Sequence, residues 1–233
     1  MDKVNKRLLN DCEGKTLASK VLHYLIAEEI IRKIQIKDDN RFLIGSLAPD
    51  MSSHDDGTYN TSHYWDYIYK KQLKGINWGK FETHYFQEMR TDDLYLGYYC
   101  HLIMDAIWFC LMADRYVRKK PKSERNSYYQ KSYNDYRKLN SILRDRYNLT
   151  YRIIEIRCIG IEEIKEQKLS SLLTELRMEL SSEEEYDISE LEIYPFNSIL
   201  EFINESVETC INEIAAFNGK ASHIKPERYF VSI

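Results

Sequence analysis

Gly97-Tyr98-Tyr99-Cys100-His101-Leu102-Ile103-Met104-Asp105 sits inside an apolar and aromatic run that keeps helical spacing from Leu94 to Val117. At 3.6 residues per turn, side chains four positions apart leave the same helix face. His101 and Asp105 therefore bring an imidazole and a carboxylate to one point about a turn apart. Two readings fit such a pair. Either it grips a metal ion, or it is a buried histidine bonded to its aspartate because buried polar groups need partners.

Three upstream segments tilt the choice toward a metal. His23 lies against the helical apolar stripe of Leu17 to Ile36, formed by Leu17, Val21, Leu22, Leu25, Ile26, Ile30, Ile31 and Ile34. Asp50 ends Phe42-Leu43-Ile44-Gly45-Ser46-Leu47-Ala48-Pro49-Asp50, an apolar run broken by Gly and then by Pro, which forces the residue before it to be extended. His63 follows Asn60-Thr61-Ser62 and precedes Tyr64-Trp65-Asp66-Tyr67, where a loop is expected to hand over to a helix. Three imidazoles and two carboxylates are ligand chemistry for zinc or a similar divalent ion.

In this order the segments resemble the zinc-dependent phospholipase C proteins, which are related more distantly to single-strand-specific zinc nucleases. That family typically carries a His on its first helix, a Leu-Gly-x-x-x-Pro-Asp segment, a Ser-His or Thr-His, and a Gly-Tyr-x-x-His-x-x-x-Asp helix. Here these positions read His23, then Ile44-Gly45-Ser46-Leu47-Ala48-Pro49-Asp50, then Ser62-His63, then Gly97 to Asp105. The match covers about residues 15 to 115. It implies an all-α, multi-helix phospholipase C-like bundle with a metal site between helices, binding zinc or another divalent cation. His23, Asp50, His63, His101 and Asp105 correspond to metal ligands, with Asp50 also a candidate general base. The implied activity is metal-dependent hydrolysis of a phosphate ester, either a small phosphoester or a phospholipid head group.

The sequence departs from that family downstream. Full phospholipases of this type place two more His and a Glu after the His-x-x-x-Asp helix, whereas the only later histidine here is His223. One metal site is therefore expected to be missing. Asp135, set among aromatic and apolar residues, is the best substitute ligand; otherwise it is a helix-surface charge beside Arg137 and Lys138. The N-terminus that serves as a ligand in the secreted enzymes is expected to have no counterpart in the polar leader beginning at Met1. His54, close behind Asp50, would complete or gate the site, and His54-Asp55 invites comparison with HD-type phosphohydrolases. In those enzymes, however, the pair sits on an apolar helix, and here Ser, Asp and Gly surround it. His84 reads as a partly buried helix histidine. A further alternative is a non-catalytic helical binding protein that retains a structural or vestigial metal site.

Composition bounds the rest. Eight Gly and four Pro in 233 residues argue against a loop-rich β architecture. Helical spacing predicts helices over Leu17 to Ile36, Phe81 to Met89, Leu94 to Val117, Tyr128 to Tyr147, Ile161 to Leu180 and Phe196 to Phe217. Residues 148 to 160 have strand-like content and read as a short extended piece or a helix start. The whole is expected to be one all-α domain over 1 to 233, with a metal-site core of about 15 to 147 and a helical C-terminal part of about 148 to 233. Cys12, Cys100, Cys110, Cys158 and Cys210 are odd in number and form no Cys-x-x-Cys pair, as expected of reduced thiols in a cytoplasmic protein. No signal-like leader and no membrane-spanning stretch are expected.

Formal charge is −4 and unevenly placed. Arg115 to Arg125 is basic and Glu179 to Glu192 acidic; both read as solvated surface, although the basic run would also attract a phosphate-bearing substrate. Nothing supports duplex nucleic-acid binding, which needs a strongly basic domain. Of nineteen tyrosines, Tyr59, Tyr64, Tyr67, Tyr98 and Tyr99, with Trp65 and Trp108, lie near the proposed site in sequence. They read as core residues, some of which would wall a substrate pocket.

Overall fold

The computed structural model describes residues 17–52, 57–156, 159–162, 164 and 166–233. The fold is predominantly α-helical, with 66% helix and 5% strand, as the apolar periodicity requires. Its centre is α6, Asp93–Trp108, in which every residue is buried. A helix apolar on all sides has no solvent face to offer, so other elements surround it. They are α1 (Lys20–Lys33), α2 (Asp39–Leu47), α4 (Trp78–His84) and α9 (Phe196–Phe217).

Helix α2 was not expected from the sequence. Its apolar run Phe42 to Leu47 reads as broken by Gly45, yet the helix passes through that glycine to Leu47 and hands over to the 3-10 turn Ala48–Met51, so Ala48, before Pro49, is helical and not extended as expected. The glycine is there for packing. A Cβ on Gly45 would overlap the carbonyl oxygen of Leu94 and stand 2.8 Å from the Tyr98 amide nitrogen, and a Cβ on Gly97 would overlap the carbonyl oxygen of Phe42. Helices α2 and α6 therefore cross backbone to backbone at paired glycines.

The region around His63 runs opposite to expectation. The one-turn helix α3, Tyr59–Ser62, ends at His63, and the chain then reverses through Tyr64, which adopts a left-handed φ of 51°. It enters β1 (Trp65–Ile68), which pairs antiparallel with β2 (Leu73–Ile76) in the register Trp65 to Ile76. The two-residue β3, Val231–Ser232, completes a small three-stranded sheet against β2. β-Branched and aromatic residues in a short run served a strand here, where a helix was expected.

Other helix ends also shift. The expected helix over Phe81 to Met89 is two pieces, α4 and α5 (Glu88–Thr91), and Ile161 to Leu180 is helical only as α8, Leu169–Leu180. The chain from Asn148 to Ile156 forms neither helix nor strand after α7, Arg125–Tyr147. Beyond Trp108 the central helix continues as a π-helix, Phe109–Arg118. Together these segments, Asp93–Arg118, are long and apolar enough to cross a membrane, contrary to the sequence expectation. However, 89% of the apolar window is buried inside the fold, which is where a central core helix belongs. One continuous core runs from Leu17 to Val231 and takes in α9, so the C-terminal part shares the same interior.

Candidate metal centre

His101 and Asp105 point from one face of α6 and are fully buried, with His101 Nε2 3.0 Å from Asp105 Oδ2. His63, at the end of α3, brings its Nε2 to 3.5 Å from the same oxygen and 3.4 Å from His101 Nε2. Asp50, in the 3-10 turn after α2, sets Oδ1 3.9 Å from His101 Nε2. His23 of α1 lies 3.2 Å from the other Asp105 oxygen, Oδ1, which also accepts the Ala18 amide at 3.3 Å. All five expected ligands therefore meet, as two overlapping triads: His63, His101 and Asp105, and His23, Asp50 and His101.

The spacings of 3.0–3.5 Å among His23, His63, His101 and Asp105 match what an ion requires, and Asp50 stands slightly farther out. Bonds of about 2.0–2.2 Å to zinc hold ligand atoms roughly 3.0–3.6 Å apart. Both ring nitrogens of His23 and Oδ2 of Asp105 are buried, and none makes an aligned hydrogen bond among the described residues. Buried polar atoms left unaligned are costly unless something else occupies their lone pairs. His23 is the least convergent member: its ring stacks on His101 with centroids 4.0 Å apart and planes 20° apart. Near-parallel rings direct their in-plane lone pairs along separate planes, and Asp105 links the two through its two oxygens.

The surrounding shell fixes which nitrogen faces inward. His101 Nδ1 contacts the Ser46 carbonyl at 2.8 Å, where Gly45 and Gly97 let the backbones of α2 and α6 approach closely. His63 Nδ1 faces the Tyr59 carbonyl at 3.1 Å and Ser62 Oγ at 3.0 Å. The Tyr98 hydroxyl donates to the Ser62 carbonyl at 2.7 Å and so ties α3 to α6. With each Nδ1 occupied, Nε2 is left for the centre, the usual arrangement of metal-ligating histidines. Reading the sequence missed Ser46, Ser62 and Tyr98 as positioning groups. Their signal was adjacency: each stands beside Gly45, His63 or Gly97.

Electrostatics point the same way. Burial lowers the His63 pKa to about 3 against the opposing pull of Asp105, which leaves a neutral imidazole. For His101, burial also disfavours the charged form, but Asp105 and Asp50 outweigh it and raise the pKa. Asp105 is held low because His101 and His23 overcome its desolvation, while burial raises Asp50. Asp105 is thus kept as a carboxylate beside His101, while Asp50 is pushed toward its neutral form.

Asp50 is also where the centre meets space. A cavity of about 690 Å³ is lined by Asp50, Tyr59, Lys20, Tyr136, Arg137 and Asn140, among others. That is the size of a small-ligand pocket. Lys20 is held there by Glu175 at 3.0 Å and Glu179 at 2.7 Å, and Glu184 also lines the wall, so part of the acidic stretch serves the cavity. The basic run does not line it: Arg118 and Lys119 pair with Asp114. Of the seven aromatics expected near the site, Tyr59 alone lines the cavity, joined by Tyr133 and Tyr136 of α7. Tyr98, Tyr99 and Trp108 are core.

Asp135 and His223 are committed elsewhere. Asp135 is buried, but its oxygens accept the backbone amides of Glu192, Ile193 and Tyr194 at 2.8, 2.8 and 3.1 Å. It anchors the loop before α9 and is neither a ligand nor a surface charge. His223 faces Glu213 at 3.0 Å and Glu82 at 3.5 Å, so it does not replace the downstream ligands. His54 and Asp55 lie outside the described residues, as do Cys12 and Cys158. Cys100 is a free, buried thiol on α6, as expected of a packed neighbour of His101.

Comparison of the chain with protein-family models, with curated proteins and with solved structures returns no match. What the fold and site define is a predominantly α-helical protein in which three buried histidines converge with buried Asp105 and partly buried Asp50.

Proposed function

We propose that this protein is a metal-dependent hydrolase of phosphate esters on a phospholipase C-like helical scaffold, with zinc or another divalent ion as cofactor. The observation that carries this reading is the convergence of His23, Asp50, His63, His101 and Asp105 at ligand spacing where the 690 Å³ cavity reaches Asp50. The ordered motifs from His23 to Asp105 support the family likeness.

In this reading, His63, His101 and Asp105 hold the ion, with Asp50 on the cavity side and His23 completing the set. When bound, such an ion supplies Lewis acidity, which activates water and polarises a phosphoryl oxygen. Asp50, the member that lines the cavity, accepts a proton from the attacking water. Ser46 and Tyr59 fix the two histidine rings through their carbonyls, and Lys20 and Arg137 bring positive charge to the cavity wall. Burial of the centre strengthens each of these interactions.

The test is a panel of phospholipid, cyclic nucleotide, single-stranded nucleic acid and small phosphoesters, assayed with zinc, manganese and chelator in parallel. Hydrolysis should depend on metal and disappear in Asp50→Asn, which removes a charge while nearly preserving shape. Activity that survives both chelation and Asp50→Asn would refute the assignment. A second reading, a binding protein with a structural metal, is favoured by one observation. Asp135 and His223, the available downstream candidates, are both committed elsewhere. A fully metallated protein inactive on the whole panel would select it.

A further inference from the structure

Tyr59 occupies the boundary between the centre and the cavity. It opens α3, four residues before His63, so both project from the same side of that single turn. The two rings stack, with centroids 4.0 Å and planes 21° apart. The Tyr59 carbonyl faces His63 Nδ1 at 3.1 Å, so one residue supports the ligand ring both from its flank and from behind. Tyr59 is 6% exposed, its hydroxyl oxygen is buried, and the residue lines the cavity it shares with Asp50. The phenol also lies within the electrostatic reach of Asp105 and Asp50.

We propose that the Tyr59 hydroxyl is an oxyanion donor, which hydrogen-bonds to a non-bridging oxygen of the phosphoryl group held at the centre. This rests on the metallohydrolase reading. Hydrolysis needs positive or donor groups where negative charge gathers on phosphorus-bound oxygens. Among the aromatic residues of the cavity, Tyr59 is the one whose ring contacts a ligand histidine. The cations are less well placed for that role. Lys20 is engaged by Glu175 and Glu179, and Arg137 lies 3.7 Å from Glu184 and stacks on Tyr186. A phenol carries no charge to be neutralised by these carboxylates and offers one directed O–H. The ligand class that follows is a tetrahedral oxyanion: orthophosphate as product and a phosphate ester as substrate.

Tyr59→Phe separates this role from support of His63, because it keeps the stacked ring and the backbone carbonyl. The experiment loads wild type and Tyr59→Phe with zinc, measures zinc stoichiometry and melting temperature, and titrates each with orthophosphate by calorimetry. Zinc content and melting temperature should be unchanged, while the phosphate dissociation constant rises about tenfold, as expected for one lost hydrogen bond to a charged acceptor. Equal phosphate affinity in the two zinc-loaded proteins would overturn the donor role and leave the metallohydrolase reading standing. Loss of zinc from Tyr59→Phe would also overturn it, by showing that the hydroxyl acts on the ligands. A wild type that takes up no zinc, or one that binds zinc and no phosphate, would remove the metallohydrolase reading and this inference with it.

Discussion

Replacing Gly97 with Ala tests whether the close crossing of α2 and α6 builds the centre. The added Cβ would overlap the Phe42 carbonyl oxygen and stand 2.9 Å from both the Phe42 carbonyl carbon and the Ser46 amide nitrogen, where ordinary contact begins at 3.4 Å. All three are backbone atoms of a helix, so no side chain can swing aside. The helices must part by at least half an ångström. Overpacking of this kind costs about 3 kcal/mol at the upper end of its usual range, and better helix propensity returns about 1 kcal/mol. The net loss is roughly 2 kcal/mol, or about 4–8 °C in melting temperature for a chain of this size. Separation also carries the Ser46 carbonyl away from His101 Nδ1, now at 2.8 Å. Losing such an outer contact weakens metal affinity by about 10- to 100-fold. Urea unfolding and competitive zinc titration measure the two effects together. Gly79→Ala is the control, because its nearest atoms would lie at 3.4 and 3.7 Å, and it should be neutral or slightly stabilising. A Gly97→Ala protein as stable and as tight for zinc as wild type would refute the reasoning.

Metal content should sort four substitutions. His101→Ala and Asp105→Ala should lose zinc by elemental analysis, whereas His84→Ala should keep it. Asp135→Asn should also keep it while losing about 2–3 kcal/mol of stability, because its carboxylate serves three amides and no metal; equal zinc loss from all four would show the wrong ligands were chosen. A different dependence is expected at Asp92, which caps α6 through the Leu94 amide at 3.0 Å and binds Arg41 Nε at 2.9 Å. Burial opposes its ionisation, but Arg41 and the cap outweigh it and hold the carboxyl below its ordinary value. A carboxyl lowered on folding stabilises above its unfolded value of about 3.9 and loses that contribution as pH falls through the folded one. Asp92→Asn should therefore cost about 1–2 kcal/mol near neutrality, and the gap should close as pH falls below the ordinary carboxyl value and through the lowered folded one. Urea melts across that range measure it, and a gap independent of pH would exclude the ion pair and cap as its source.

Helices whose apolar stripe repeats over many turns were legible in the sequence. Phe196–Phe217 was read to the residue, and the Leu17 to Ile36 stripe contains α1 with a few residues of fray at each end. Short elements were not. In α2, Gly45 mimics a break, because a glycine required by a neighbouring backbone looks the same in sequence as a glycine required by a turn. At Trp65–Ile68 the decision between strand and helix rests on pairing with Leu73–Ile76, a tertiary fact that four residues cannot carry. Asp135 shows a third limit. A carboxylate among aromatics announces that it is buried and partnered, but not whether its partner is a cation or three amides of a distant loop.

The convergence of the five expected residues was legible in the sequence, and the reason lies in how the parts of the cluster depend on one another. Donors alone specify little, since His and Asp occur on many surfaces. Here three of the donors, His101, His63 and Asp50, are aimed by residues that lie in the same quoted motifs. Gly45 precedes Ser46, whose carbonyl fixes His101; Gly97 lets that carbonyl approach; Tyr98 holds the turn that presents His63; and Pro49 sits in the 3-10 turn that carries Asp50. A substitution at any one of these positions would disturb a ligand placed elsewhere in the chain. The spacing Gly-x-x-x-Pro-Asp and Gly-Tyr-x-x-His-x-x-x-Asp thus records a crossing of two helices together with the His and Asp side chains it brings within reach. Tyr59 falls outside those motifs but shares their logic, because its place four residues before His63 sets both its stacking and its position on the cavity wall.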